Sequence, residues 1–107
     1  MTICKRLRVS APAKADLAHI GDHTRRVWGA AQKHKYLGLI KDKFNALRRM
    51  PGLGASRNDI AAGLRALMAE RHIIFYRETQ TELEIVRVLH GNMDVEALRE
   101  GVLSVEL

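Results

Sequence analysis

Residues and runs that are typical of secreted or membrane-spanning chains are scarce in this sequence. Its single cysteine, Cys4, excludes an internal disulfide, and without an evident activating histidine we expect it to be an inert, packed thiol. No apolar run approaches the roughly 20 residues that a membrane-spanning helix needs. Because Lys5, Arg6 and Arg8 interrupt the first apolar stretch, we expect no signal peptide. These absences predict a soluble, cytoplasmic protein.

Acidic residues are also scarce relative to basic ones. Eighteen lysines and arginines stand against twelve aspartates and glutamates, which gives a net charge of +6. Such an excess favours a nucleic acid, a ribosome or an acidic protein segment as partner, and charge alone does not choose among them. A chain of 107 residues is long enough for one core and too short for two, so we expect one domain over residues 1–107.

Hydrophobic periodicity predicts one strand and two helices in the first half of the chain. Cys4–Val9 alternates as an edge strand does. Ser10 offers a side-chain oxygen as an N-cap, and apolar residues at helical spacing continue from Ala13 to Trp28. Gly29 interrupts this pattern, and a second helical pattern then ends at Met50, before a Pro-Gly pair. A helical hairpin is the expected result.

The second half of the chain is predicted to be rich in β-structure. Residues 51–63 contain one proline and three glycines without periodicity, so we predict a loop there. Residues 95–107 are predicted to form a short C-terminal helix and an apolar tail. The expected fold is α+β in the order β-α-α-β-β-β, with a helical hairpin packed on one face of a small antiparallel sheet. Its later strands are predicted over Leu64–Ala69, Arg71–Arg77 and Glu82–His90, the last two as a central hairpin.

Two histidines on the first predicted helix raise the question of a metal site. His19 and His23 lie four residues apart, a spacing that lets two imidazoles share one metal ion, and His34 is a conceivable third ligand. No carboxylate or cysteine completes a recognisable set, and polar residues flank both histidines. We therefore expect solvated side chains, with no metal and no cofactor.

Arginines in and near the predicted strands raise a second alternative. Together with His90 they are candidates for one groove, in which guanidinium groups grip phosphates and the histidine transfers a proton, as in a metal-independent RNase. The competing interpretation is a solvated rim that faces a protein partner, which the ordinary exposure of arginine favours over catalysis. Tyr76, in the middle of a strand, is expected to bury its ring and to direct only its hydroxyl outward. The arginines are Arg57, Arg65, Arg71, Arg77 and Arg87.

Short motifs spread over about nine-tenths of the chain occur in an order that is typical of one family. They are Ser10-Ala11-Pro12-Ala13, Asp16-Leu17, Trp28-Gly29, Pro51-Gly52-Leu53-Gly54, Gly63-Leu64-Arg65, Arg71-His72-Ile73-Ile74-Phe75-Tyr76-Arg77, Ile85-Val86-Arg87-Val88-Leu89-His90-Gly91 and Met93-Asp94. In this combination the chain resembles a ParE toxin of the RelE/ParE superfamily of type II toxin–antitoxin toxins. The resemblance implies the same β-α-α-β-β-β fold, inhibition of DNA gyrase and neutralisation by a ParD-like antitoxin.

Relatives of the RelE and YoeB kind cut mRNA on the ribosome, and two positions separate them from this chain. Ile73 stands where those RNases carry a catalytic arginine, and Gly91 stands where YoeB carries a tyrosine after its matching histidine. Loss of one hydrogen-bond donor that stabilises the transition state typically lowers the catalytic rate by a factor of ~10²–10³. The resemblance therefore implies a toxin that is not an enzyme. The alternative is a ribosome-dependent mRNA endonuclease that uses Arg65, Arg71, Arg77 and His90.

One segment departs from the ParE pattern. ParE sequences often carry Leu-Pro-x-Gly before the Arg-His pair, whereas this chain has Leu67-Met68-Ala69-Glu70. We expect this departure to alter the bend between the second and third predicted strands.

The predicted central hairpin is apolar on both faces. Ile73 and Phe75 alternate with Ile74 and Tyr76, yet a two-helix hairpin can cover only one face of a sheet. We therefore predict an exposed apolar face that binds an acidic segment of a ParD-like antitoxin, with little or no DNA contact by this chain. The predicted antitoxin-binding residues are Ile73, Phe75, Arg77, Val86, Val88, His90 and Met93.

Overall fold

A computed structural model describes residues 4–91, which contain two α-helices and five β-strands. The α+β class and the predicted order of elements are confirmed, with one short strand, β2, added in the segment predicted as a loop. The predicted helix and tail over residues 95–107 lie outside the described residues. The elements are β1 Arg6–Val9, α1 Ala11–Trp28, α2 Ala30–Arg49, β2 Ala55–Ser56, β3 Arg65–Ala69, β4 His72–Glu78 and β5 Glu82–His90.

Local chemistry explains where the helices begin and end. Ser10 Oγ accepts a hydrogen bond of 3.1 Å from the Ala13 N–H, so α1 begins directly after this N-cap, two residues before the predicted start. Gly29, with a φ of 95°, separates α1 from α2 in a conformation that other residues rarely adopt. Within residues 4–91, neither helix is long and apolar enough to cross a membrane.

The five strands form one mixed sheet in the order β1-β5-β4-β3-β2. Three neighbouring pairs are antiparallel, whereas β1 runs parallel to β5. The prediction of a wholly antiparallel sheet is therefore wrong at one edge. Alternation along β1 carries no information on strand direction, and the long connection through both helices permits a parallel pairing.

The helical hairpin covers one face of the sheet, as predicted. Val27 belongs to the apolar residues at helical spacing on α1 but is 54% exposed, because it lies at the tip of the hairpin near Gly29. Thr24, nearly one turn earlier, is buried and donates its hydroxyl proton to the Ile20 carbonyl at 2.7 Å. Buried members of this core include Ile40, Phe44 and Leu47 from α2 and Ile74, Tyr76, Leu83, Ile85 and Val88 from the sheet.

Residues 57–64, here called the strap, cover the opposite face. Phe75 and Val86 are both 0% exposed beneath it, so the predicted open apolar face is wrong. Residues 57–63 of the strap were predicted as part of a loop because their apolar residues follow neither helical nor strand spacing, and Leu64 was predicted to begin the next strand. The buried side chains of the strap are Ile60, Ala61 and Leu64.

A β-bulge changes the direction of side chains along β5. Phe75 pairs with Arg87, and the next pair along the strand skips Val86 and uses Ile85. As a result Val88 packs in the core beneath the helices, not with Val86 beneath the strap. The prediction that Val86 and Val88 share a face is wrong, because one inserted residue reverses the alternation beyond it.

Tyr76 anchors the segment that joins α2 to β2. Its hydroxyl donates to the Pro51 carbonyl at 2.6 Å and accepts from the Gly54 N–H at 2.8 Å. A Cβ on Gly54 would lie 2.6 Å from this hydroxyl oxygen, so the position requires glycine. Burial raises the pKa of Tyr76. The expected outward hydroxyl is wrong, since this segment supplies two backbone partners inside the protein.

Candidate functional site

An open groove of about 880 Å³ lies between the helical hairpin and one end of the sheet. The halves of α1 and α2 next to Gly29 form one wall. The turn between β3 and β4, the first residue of β4 and the last residue of β5 form the other. The groove therefore brings together residues from both halves of the sequence.

The apolar lining of the groove reaches the protein surface. Trp28 is 65% exposed and Leu39 is 37% exposed, while Ile20 and Tyr36 continue the lining inward. Sequence reasoning gave Trp28 no role beyond the end of a helix. The available signal was a large aromatic side chain beside a helix-terminating glycine, at a position where burial is not expected.

A series of hydrogen bonds joins α2 to the sheet inside the groove. The Arg71 N–H donates to Tyr36 Oη at 3.1 Å, and Tyr36 Oη lies 2.7 Å from His72 Nδ1. The tyrosine hydroxyl and His72 Nδ1 share this second hydrogen bond, and the histidine tautomer decides which of them donates. The His90 ring meets the His72 ring edge to face at 5.3 Å. Burial, and then the nearby His90, lowers the pKa of His72.

The residues predicted for an RNase site are divided between the two ends of the β4–β5 hairpin. Arg71 and His90 line the groove. Arg65 instead donates to a backbone carbonyl after α2 at 2.7 Å, and Arg77 donates to Glu84 at 2.8 Å. Arg77 is five residues beyond the start of β4, which places it about 16 Å along the strand. The predicted convergence of these side chains is therefore wrong.

Asp16 attaches α1 to β5. Its carboxylate accepts hydrogen bonds from Arg87 Nε at 2.8 Å, from Arg87 Nη2 at 2.9 Å and from the Val88 N–H at 3.0 Å. The hydrogen bond with Asp16 raises the pKa of Arg87. Arg87 is thus a structural partner and does not join the candidate groove. The same holds for Arg57, whose Nε lies 3.0 Å from Asp59.

Part of the predicted antitoxin-binding set is buried. Phe75 and Val86 are inaccessible beneath the strap, and Val88 is 2% exposed beneath the helices. The accessible members are Ile73, Arg77 and His90, and Met93 lies outside the described residues.

The histidines considered as metal ligands are not gathered around one point. His19 and His23 line the groove, whereas His34 is exposed on α2 and does not. Over residues 4–91, no three histidine, cysteine or acidic side chains are arranged to hold a metal ion. Cys4 is exposed, so the expectation that it is packed is wrong.

Comparison with known proteins points to one family. Residues 7–95 match the family described as the ParE toxin of the type II toxin–antitoxin system parDE. The chain belongs to the ParE toxin family. It is 33% identical over 93 residues to Toxin ParE1 of Caulobacter vibrioides, covering 87% of this chain and 96% of that relative. It is 36% identical over 92 residues to Toxin ParE1 of Mycobacterium tuberculosis, covering 85% and 94%.

A solved structure supports the same assignment for this ParE-family chain. A chain from the chromosomal ParDE toxin–antitoxin system of P. aeruginosa matches with a TM-score of 0.71 at 26% identity. The match covers 81% of this chain and 96% of that chain. The resemblance to ParE toxins found in the sequence motifs is confirmed.

Proposed function

We propose that this ParE-family chain arrests growth by inhibiting DNA gyrase, that it does so without being an enzyme, and that a ParD-type antitoxin neutralises it. The observation that carries the proposal is the family match over residues 7–95. The similarity to a chain of a ParDE system adds support for an antitoxin partner. Such a toxin acts in the cytoplasm, where gyrase works on DNA.

The geometry gives little support to the alternative of an mRNA endonuclease. A phosphate-cleaving site without a metal needs its cationic and proton-transferring groups around one scissile bond. Of the four residues considered for this chemistry, Arg71 and His90 line the groove, whereas Arg77 is held by Glu84 at the far end of the hairpin. Ile73 occupies the position of the catalytic arginine and packs beside the strap.

Gyrase supercoiling in the presence of the purified chain tests the proposed target. We expect loss of supercoiling and accumulation of cleaved DNA at toxin concentrations near that of gyrase, with no effect when antitoxin is added first. Topoisomerase I relaxation serves as the control for non-specific binding of a basic protein to DNA. Unchanged supercoiling at a large molar excess, together with new mRNA ends in primer extension, would replace the proposal with the endonuclease alternative.

Antitoxin contact is tested with charge reversals at accessible positions. Phe75 is unsuitable because glutamate at a fully buried position tests folding. We propose the double variant R77E/H90E, which changes one residue at each end of the β4–β5 hairpin. The control is H34E/R49E, in which the same two substitution types are made at exposed positions of α2. The amount of antitoxin that co-purifies should fall at least tenfold for R77E/H90E and should not change for H34E/R49E. If both double variants co-purify equally well with the antitoxin, Arg77 and His90 do not belong to the interface.

A further inference from the structure

The two edges of the sheet differ in the side chains that protect them. An exposed strand edge pairs readily with another extended segment, and natural proteins prevent this with charged side chains on the edge or with a segment that covers it. The edge strand β1 carries Arg6 and Arg8, and the Arg8 side chain is 64% exposed. On the opposite side of the sheet, β3 carries no charged side chain after Arg65. The outer side of β3 is therefore the edge that requires a covering segment.

β2 covers only the first part of the β3 edge. It pairs with Arg65 and Ala66. Beyond this point, Leu67–Ala69 pairs with β4 on one side and has no strand on the other among residues 4–91. Large apolar side chains lie on this uncovered part: Met68 is 58% exposed, and Ile73, its partner on β4, is only partly buried. The open edge is thus three residues long and apolar.

Met68 also supplies the backbone hydrogen-bonding groups of the open edge. Arg57, directly after β2, donates its N–H to the carbonyl of Leu64, directly before β3, at 2.8 Å. Backbone groups alternate between the two sides of an antiparallel strand, so those of Met68, four residues after Leu64, point to the same outer side. A segment that pairs there gains hydrogen bonds with the Met68 N–H and C=O and covers the Met68 side chain.

We propose that residues 103–107 of this chain form an additional strand that pairs with Leu67–Ala69 and closes the open edge of β3. Their sequence, Leu-Ser-Val-Glu-Leu, alternates between apolar and polar side chains, which is typical of a strand with one covered face. The apolar face of the added strand lies on the side of Met68, and its polar face lies on the opposite side. The residues of the apolar face are Leu103, Val105 and Leu107.

The end of β5 lies close enough to the open edge for this segment to reach it. His72, at the start of β4, pairs with the last residue of β3 and with the last residue of β5, so all three strands meet at one end of the sheet. Gly91 follows β5 there and donates its N–H to the Arg71 carbonyl at 3.1 Å. The outer side of β3 is three strand spacings, about 14 Å, from β5. Residues 92–102 span this distance even when half of them are helical, and a chain that then returns along β3 runs antiparallel to it.

Two other occupants fit the open edge less well. A second copy of this chain would present the same three free residues, and β2 of each copy would block a longer ladder between the two β3 strands. Both copies also carry a net charge of +6, which opposes their association. An extended segment of another protein binds at its own concentration, whereas a tethered segment acts at an effective concentration in the millimolar range.

Hydrogen–deuterium exchange of single amides, measured by NMR on the full chain, tests the proposal. The Met68 N–H points away from β4, so it exchanges slowly only when another segment accepts its hydrogen bond. V105E places a carboxylate on the apolar face of the added strand, and S104E, the matched control, places one on the polar face. The Leu67 N–H, which points to β4, reports whether the sheet is intact in every chain.

We expect V105E to speed exchange of the Met68 amide by about tenfold or more and S104E to change it by less than about twofold, with the Leu67 amide unchanged in both. Fast exchange of the Met68 amide in the unsubstituted chain, or slow exchange that V105E leaves unaltered, would overturn the proposal. Protection that rises with chain concentration would also overturn it and assign the edge to a second copy. Neither antitoxin nor gyrase is present, so the outcome does not depend on the proposed function.

Discussion

At the scale of single residues, the turn between β3 and β4 holds the one non-glycine residue with positive φ in the described part of the chain. Glu70 has a φ of 55°, a left-handed conformation that costs an L-residue roughly 1–2 kcal/mol. It stands where ParE sequences often carry glycine, which adopts this conformation without a steric penalty. Glutamate at this position therefore adds backbone strain to the turn.

We predict that E70G raises the free energy of unfolding by about 0.5–1 kcal/mol, because relief of strain exceeds the added entropy of a glycine in the unfolded chain. Urea denaturation measures the change. Q80G, in the exposed turn between β4 and β5, is the matched control and should lower stability, because φ there is not positive. A loss of stability in both variants would show that the Glu70 conformation is not strained.

At the scale of elements, the junction between α1 and β5 depends on one carboxylate. β1 pairs with β5 only along Glu82–Ile85, so the strand beyond this point lies at the edge of the sheet. There the Asp16 carboxylate accepts hydrogen bonds from the Val88 N–H and from Arg87, and the Asp16 side chain is only 12% exposed. The part of β5 that β1 does not cover is thus held by a helix.

D16A should lower the free energy of unfolding by about 2–3 kcal/mol, because it leaves a guanidinium and a backbone N–H without their acceptor. D22A is the matched control on the same helix, since its side chain is 63% exposed and lies 3.8 Å from Arg25. It should cost no more than about 0.5 kcal/mol. Chemical denaturation of both variants checks the difference, and equal losses would contradict the assigned role of Asp16.

At the scale of the whole molecule, His72 couples stability to pH. Burial lowers its pKa in the folded chain, so the unfolded chain binds the proton first as the pH falls below about 6.5. We predict that His72 makes the free energy of unfolding decrease between pH 7 and pH 5.

The variant H72N isolates this effect, because its side-chain amide can hydrogen-bond the Tyr36 hydroxyl, as donor or acceptor, in place of Nδ1 without titrating. Urea unfolding from pH 7 to pH 5 should show a shallower loss of stability for H72N than for the unsubstituted chain. H34N, which changes an exposed histidine of α2, should leave the slope unchanged. Identical slopes for all three chains would exclude His72 as the source.

Local patterns in the sequence were sufficient for the elements and for the family. Apolar spacing located both helices to within two residues, because helical periodicity and the Ser10 and Gly29 signals are all local. Alternation located β5 at its observed bounds. The spacing of motifs then identified the ParE family, and the composition identified a basic chain whose surplus charge lies on the helical hairpin.

Only the tertiary structure decided which faces are covered and which side chains meet. The bulge at Val86 moves Val88 beneath the helices, a reversal that alternation cannot predict because one unpaired residue changes every face beyond it. The strap closes the face predicted to be open, since its apolar residues gain a partner surface only after the sheet forms. The groove likewise joins Trp28 to His90 across most of the sequence. Contacts of this kind depend on long-range pairing, which leaves no periodic pattern in the chain itself.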